Sequence, residues 1–264
     1  MGGALARGWI RAIENKGQLL INSEADICVT ARTEQTLERY AQEFHDIRTS
    51  SSNADAVRGA DVIVLAVKPW LLQGVIEEIR PYIDFSKQTV CSVAAGVGTE
   101  KLDEMFVGSG HFTNHNFQLF YVMPNIAAEF GESMTFIAPY KSASAEATQQ
   151  VKQLFGLLGD VHLCDEKMMP AGMMMAGCGI AYVMRFLRAQ MEAGVEMGFP
   201  PQEALQIAMQ TMNGATAFLK ETGLHPEAAI DRVTTPGGTT IKGLNTLDHA
   251  GFNSAVIRCL KAGL

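Results

Sequence analysis

Residues 61–97 read DVIVLAVKPWLLQGVIEEIRPYIDFSKQTVCSVAAGV, and the alternation within this stretch decides the fold. DVIVLAV at 61–67 is a continuous β-branched run, which predicts a strand buried on both faces. Lys68-Pro69 ends it, because proline has no N–H to donate to a ladder. WLLQGVIEEIRPYI then predicts a helix, and QTVCSVAAGV a second strand. Strand, helix and strand of these lengths make a βαβ unit and a parallel sheet. The second strand runs into Ala94-Ala95-Gly96, small residues that let a ligand approach the backbone. Lys68-Pro69 and this run both stand at carboxyl strand ends, where open α/β sheets take their ligands.

The same rhythm extends in both directions. ALARGWIRAIEN near the N-terminus is helical, with Leu5, Trp9, Ile10 and Ile13 on one face. Before it, Met1-Gly2-Gly3-Ala4-Leu5 resembles the closing half of a nucleotide-binding turn, with no apolar strand ahead of it. ICVT at 27–30 predicts a strand, TEQTLERYAQEF a helix with Thr33 as N-cap, and SNADAVRGA a small helix. Arg32 follows the second strand position without an acidic neighbour at the strand end. A guanidinium there suits a 2′-phosphate, where Asp or Glu would suit a free 2′-hydroxyl, and so favours NADP over NAD. Downstream, GSGHFTNHN is a polar loop, HFTNHNFQLFYVMPN and SMTFIAP hold two further strands, SAEATQQVKQLFGLLG is a helix and DVHLC a last strand.

Beyond about residue 165 the β-branched runs stop. Helices are expected at 174–197, 201–221, 236–248 and 251–263. Pro200-Pro201 marks a start, and Gly223 and Pro226 a stop and restart. The expected organisation is a doubly wound dinucleotide-binding domain over 1–164 and an all-helical domain over 165–264.

Composition narrows the function. A formal charge of −7 over 264 residues argues against a nucleic-acid surface, which needs clustered Lys and Arg. Cys28, Cys91, Cys164, Cys178 and Cys259 are scattered and never in C-x-x-C spacing. That pattern fits reduced thiols and a cytoplasmic setting. No secretory signal is visible. MMPAGMMMAGCGIAYVM at 168–184 is nearly long enough to span a bilayer. Pro170 and glycines 172, 177 and 179 interrupt it and Arg185 and Arg188 follow, so it is expected as a buried helix of a soluble protein, packed on another chain or domain. His111 and His115 are four apart in the polar loop and the other histidines are isolated, so no metal site is expected.

RVTTPGGTTIKGLNTLD at 232–248 carries the most chemistry. Pro236-Gly237-Gly238 breaks the chain just before a helix, whose first N–H groups lack partners and favour an anion. Thr234, Thr235, Thr239 and Thr240 surround that turn. A small carboxylate fits there, with one hydroxyl free for a neighbouring polar atom.

With MGGAL, LAVKP, AAGV, MPN, EMGFP and VTTPGGTTIKGL in this order, the chain resembles the pyrroline-5-carboxylate reductase family. That family begins with a short strand and a Gly-x-Gly turn, so the resemblance implies that about ten residues precede the position of Met1. It further implies reduction of the cyclic imine Δ1-pyrroline-5-carboxylate to proline with NADPH or NADH, in a homodimer that can assemble into larger rings. Gly2 and Gly3 would end the dinucleotide turn, and Arg32 and Asn53 would contact the adenosine half. Ala66, Lys68, Pro69, Ala94, Ala95 and Gly96 would line the cofactor toward the nicotinamide. Asn125 would lie near the reacting ring. Thr235, Gly238 and Thr239 would hold the substrate carboxylate, and Thr240 would act on the ring nitrogen as the catalytic hydroxyl.

Departures from the family pattern bear on the substrate. Where the family reads Ser-Gly-Ser-Gly-Pro-Ala-Tyr, this chain has Ala176-Gly177-Cys178-Gly179-Ile180-Ala181-Tyr182. Ile126 and Ala127 replace Thr and Pro after Met-Pro-Asn. Together with the methionines of 168–175 they suggest a reshaped, more apolar pocket. A reductase of another cyclic imine and a non-catalytic dimeric NADP-binding protein are the alternatives. A β-hydroxyacid dehydrogenase needs a Lys and an Asn in G-x-x-x-K-x-x-N at the start of the long helix. MMMAGCGIAYVMRF contains neither.

Overall fold

The computed structural model describes residues 1–16, 21–107 and 117–264. Its contacts separate two units, Met1–Gly177 and Cys178–Leu264. The polar loop with His111 and His115 lies outside the described residues.

The first unit runs α1 (Gly2–Lys16), β1 (Cys28–Thr30), α2 (Glu34–Glu43), β2 (Arg48–Ser50), α3 (Asn53–Val57), β3 (Val62–Leu65), α4 (Leu72–Ile79), β4 (Thr89–Ser92), α5 (Thr99–Val107), β5 (Gln118–Met123), β6 (Ser133–Pro139), α6 (Ala145–Gly156), β7 (Gly159–Leu163) and α7 (Met169–Gly172). β1 and β2 pair in parallel, and β3-β4-β5-β6-β7 form a second, five-stranded sheet in chain order. Among the described residues β1 pairs only with β2, and β3 only with β4.

Helices cover both faces of the sheet, as the βαβ pattern predicts. On one face α1 and α6 enclose Cys91, Phe120, Val122 and Ile137. On the other, α4 and α5 enclose Ile63, Leu65, Val90 and Leu119. Alternate residues of one strand point to opposite faces, so neighbours such as Leu119 and Phe120 enter different clusters. The first cluster is tight around α1: Trp9 sits edge-on to Phe155 at 5.6 Å, and its Nε1 donates to the Leu154 carbonyl at 2.9 Å. Gly8 faces the Ala128 carbonyl so closely that a Cβ would overlap it.

Three local expectations change. The strand expected over 61–67 is only Val62–Leu65, with Ile63 and Leu65 buried and Val62 and Val64 half-buried. The sheet is mixed, because β6 runs antiparallel to β5. Only residues 124–132 join them, too few for a parallel crossover of a dozen or more residues. Thr33 occupies the cap position of α2 without capping it, and its hydroxyl pairs with that of Thr36 at 2.7 Å.

Between the units' regular helices, Met173–Gly177 forms a π-helical turn. The second unit then contains α8 (Gly179–Glu196), α9 (Pro201–Thr222), α10 (Pro226–Arg232), α11 (Thr239–His249) and α12 (Phe252–Lys261). Pro201 occupies the first turn of α9, and Gly223 closes it in the left-handed conformation. The restart at Pro226 makes only the short α10, and the helix expected from 236 begins at Thr239. α8 and α9 pack closely where Gly194 meets Ala204, and Phe186 of α8 lies 6.0 Å from Phe252 of α12. By length and composition alone, Glu166–Glu196 is apolar enough to cross a membrane. The expected buried helix is largely exposed within one chain, including Met175, Val183 and Met184.

Candidate active site

The parallel register places Leu65, Ser92 and Tyr121 side by side. Ala66, Ala94 and their neighbours therefore leave the sheet at one edge. α1 begins at this edge, where a Cβ on Gly2 would stand 3.1 Å from Ala66 Cβ. The unpartnered N–H groups of the first turn of α1 thus face the end of β3. Gly3 lies under the Tyr40 hydroxyl, and Arg7 holds α1 to α2 through a fork with Glu43 at 2.7 and 2.9 Å. The hydrogen bond from Arg7 holds the Glu43 carboxyl below the usual carboxylate range.

At the neighbouring edge, Thr30 pairs in register with Ser50, so Arg32 and Asn53 both follow carboxyl strand ends. Arg32 is exposed and has no polar partner among the described residues. Asn53 is held by Glu78 of α4, which accepts from its backbone N–H at 3.2 Å and its Nδ2 at 2.9 Å. Lys68 precedes the 3-10 turn Pro69–Leu71 without a side-chain cap bond, and its Nζ lies 6.0 Å from the centre of the exposed Trp70 ring.

Gly96 has φ +79° with open space beside its Cα, a left-handed bend that favours glycine. Its N–H donates to Tyr121 Oη at 2.9 Å. Three residues on, Thr99 donates from both its N–H and its Oγ1 to Glu166 Oε2, at 3.0 and 2.5 Å.

Asn125 is buried and ties three segments together. Its N–H donates to Ser133 Oγ at 3.1 Å, its Oδ1 accepts from Ala127 N–H at 2.9 Å, and its Nδ2 donates to the Ala176 carbonyl at 3.4 Å. Ala176 belongs to the π turn, where the wider spacing of backbone bonds shifts the carbonyls, a feature frequent at functional sites. Ile126, next to Asn125, is 58% exposed.

In the second unit, Thr235–Gly238 is a turn closed by Gly238 N–H to Thr235 O at 3.0 Å, with Gly237 at φ +71°. The Thr235 hydroxyl folds over Gly238 so closely that a Cβ there would meet it. α11 starts at Thr239 with no side chain capping its amides. Thr235, Thr239 and Thr240 are exposed, with no hydroxyl partner among the described residues. The fourth expected hydroxyl is otherwise engaged. Thr234 Oγ1 donates to the Ile230 carbonyl at 2.7 Å and belongs to the end of α10.

Sequence reasoning passed over Tyr121, Glu166, Thr99 and Glu78. Tyr121 sits in an apolar run, and its partner Gly96 is 25 residues away; Glu166 and Thr99 are 67 apart. Nothing in their local spacing marks them. Among the described residues no group of three or more His, Cys, Asp or Glu could hold a metal ion.

Known proteins match both units. The family model described as pyrroline-5-carboxylate reductase dimerisation matches residues 166–264, and that described as NADP oxidoreductase, coenzyme F420-dependent, matches residues 1–96. A pyrroline-5-carboxylate reductase of Glycine max is 36% identical over 85% of this chain and 78% of its own length. Pyrroline-5-carboxylate reductase 1 of Dictyostelium discoideum is 32% identical over 98% of this chain, which spans only 46% of that longer protein. The crystal structure of Plasmodium falciparum pyrroline carboxylate reductase with NADP bound superposes with a TM-score of 0.82 at 28% identity, over 100% of this chain and 91% of that one. By fold, by length of match and by identity, the chain belongs to the pyrroline-5-carboxylate reductase family.

Proposed function

We propose that this protein reduces Δ1-pyrroline-5-carboxylate to L-proline with NADPH, in a homodimer. The observation that carries the reading is the amide end of α11. Its first N–H groups are uncapped and flanked by the free hydroxyls of Thr235, Thr239 and Thr240. Exposed backbone donors at a helix start favour a small anion, and the substrate's carboxylate is one.

The first unit suits a phosphorylated dinucleotide. The first turn of α1 offers amides beside Ala66 for a pyrophosphate, Arg32 offers an uncommitted guanidinium for a 2′-phosphate, and the open side of Gly96 admits a flat ring against the backbone. NADPH, when bound, supplies the hydride. The chain's own residues bind and orient. Thr235, Gly238 and Thr239 hold the carboxylate, Thr240 Oγ1 accepts a hydrogen bond from the protonated imine nitrogen, and in the first unit Ala94–Gly96 would line the cofactor. A neutral hydroxyl orients a protonated imine without adding positive charge beside it. No acid is assigned to deliver a proton, and the imine enters already protonated. Positioning then contributes most of the acceleration, about 7–11 kcal/mol in well-oriented systems.

The test is oxidation of NADPH on adding racemic pyrroline-5-carboxylate. Thr240→Ala should lower kcat/KM by about 30-fold, the scale of losing one hydrogen bond to a charged group. An unchanged kcat/KM removes the role given to that hydroxyl. The exposed Ile126 beside Asn125 favours a second reading, a more apolar or six-membered cyclic imino acid. A higher kcat/KM for that compound than for pyrroline-5-carboxylate would select it.

Association follows from the second unit, where Met184, Phe186, Val195, Ile207 and Met209 are exposed within one chain. Contiguous exposed apolar surface marks interaction sites. A monomeric sedimentation profile at micromolar concentration would contradict the dimer, and ring formation would show as higher multiples of it. The five free thiols suit a reducing cytoplasmic setting.

A further inference from the structure

The loop bearing Ala94, Ala95 and Gly96 joins β4 to α5, and two side chains from distant parts of the first unit hold it. Tyr121 holds Gly96, as described. Glu166 holds the other end more completely: Oε2 accepts both Thr99 N–H and Thr99 Oγ1–H. Its Oε1 lies against Gly98, where a Cβ would overlap it, and the three atoms nearest that Cβ all belong to the Glu166 carboxylate. Gly98 has an ordinary φ, so the backbone does not demand glycine there. The carboxylate alone excludes a side chain.

Glu166 also opens the 3-10 turn Glu166–Met168, which leads through α7 into the π turn. That turn ends next to the Ala176 carbonyl, which accepts from Asn125. The segment from 166 to 176 therefore grips the Ala94–Gly98 loop at one end and the Asn125 turn at the other.

We propose that Glu166 is a positioning residue for hydride transfer: its carboxylate sets the Ala94–Gly96 loop in place relative to Asn125. The inference rests on the reductase reading above. Thr99 and Gly98 complete the device, one by donating to the carboxylate and the other by leaving room for it. Because a single oxygen takes both hydrogen bonds, a glutamine carbonyl can replace it.

The test compares Glu166→Gln, Glu166→Ala, Gly98→Ala and the double variant Gly98→Ala/Glu166→Ala. Four quantities are followed: NADPH affinity by fluorescence titration, kcat, the primary isotope effect with NADPH deuterated at C4, and the melting temperature. A displaced reacting group costs about tenfold or more in rate, so Glu166→Ala should lower kcat about tenfold and raise the isotope effect. Glu166→Gln should stay within about twofold of wild type, since it keeps both bonds. Gly98→Ala should resemble Glu166→Ala. In the double variant the new methyl group fits the space left by the carboxylate, and the defect should be no worse than that of Glu166→Ala alone.

The proposal is overturned if Glu166→Ala lowers only the melting temperature, with kcat, isotope effect and NADPH affinity as in wild type. It is equally overturned if Gly98→Ala is as harmful without Glu166 as with it. Should the wild type fail to oxidise NADPH with the imine, the reductase reading falls. The NADPH titrations then decide the hold on the loop by themselves: weaker binding in Glu166→Ala and Gly98→Ala, not compounded in the double variant, upholds it, and unchanged binding ends it.

Discussion

In Met1–Gly177 a core of large side chains forms, with Phe106, Phe120 and Phe155 almost wholly buried, while Trp70 and Phe130 stay exposed. In Cys178–Leu264, Phe186, Phe199 and Phe218 are exposed, and the buried residues are the small ones, Gly179, Gly194, Ala204 and Ala208. The same contrast holds for polar groups. In the first unit Asn53, Gly96, Thr99 and Asn125 each have a specific partner, whereas the hydroxyls of Thr235, Thr239 and Thr240 have none among the described residues. One unit has a core of large side chains of its own. The other leaves apolar helix faces and the amide end of α11 exposed within one chain.

This comparison can be broken at several points. Phe155→Ala should cost the most, about 3–5 kcal/mol from lost burial and cavity formation. The loss, followed by urea unfolding, should not depend on protein concentration if the first unit is self-sufficient. Ile207→Asp places a charge on the exposed apolar face of α9. It should weaken self-association by about 2 kcal/mol, roughly 30-fold in the dissociation constant. Sedimentation equilibrium measures this, and an unmoved constant would put the association surface elsewhere. Arg32→Ala should lower kcat/KM for NADPH about tenfold while sparing NADH, the scale of one hydrogen bond to a charged group. An equal loss with both cofactors would deny the guanidinium its 2′-phosphate.

The smallest expected effect concerns the Arg7–Glu43 fork. The folded-state pKa of Glu43 is lowered, chiefly by the hydrogen bond from Arg7. Its contribution is therefore fully present above the unfolded value of about 4.3 and is lost as pH falls through the lower folded value. The pair is partly exposed, so screening keeps the effect small. The difference in melting temperature between wild type and Glu43→Gln should shrink as pH drops below about 4.

Much of the first unit was legible because its signals are local. The β-branched run at 61–67 that contains β3, the apolar face of Leu5, Trp9 and Ile10, and the start of α6 each follow from a periodicity spanning a few residues. Pro201 and Gly223 delimited α9 for the same reason. The reversed direction of β6 was not legible, since it depends on how the short 124–132 connection can close. The idle cap at Thr33 and the diverted hydroxyl of Thr234 were also beyond local reasoning.

For the site, residue types and order announced a dinucleotide fold, a Pro-Gly-Gly bend ahead of a helix start and the family itself, because backbone geometry at glycine, proline and helix starts is dictated by the residues present. Which side chains hold those loops was decided only in three dimensions. Glu166 meets Thr99 and Tyr121 meets Gly96 across 67 and 25 residues, and the π turn brings the Ala176 carbonyl to Asn125. Hydrogen bonds are short-ranged and indifferent to sequence separation, so partners that chain folding brings together leave no periodic trace in the sequence.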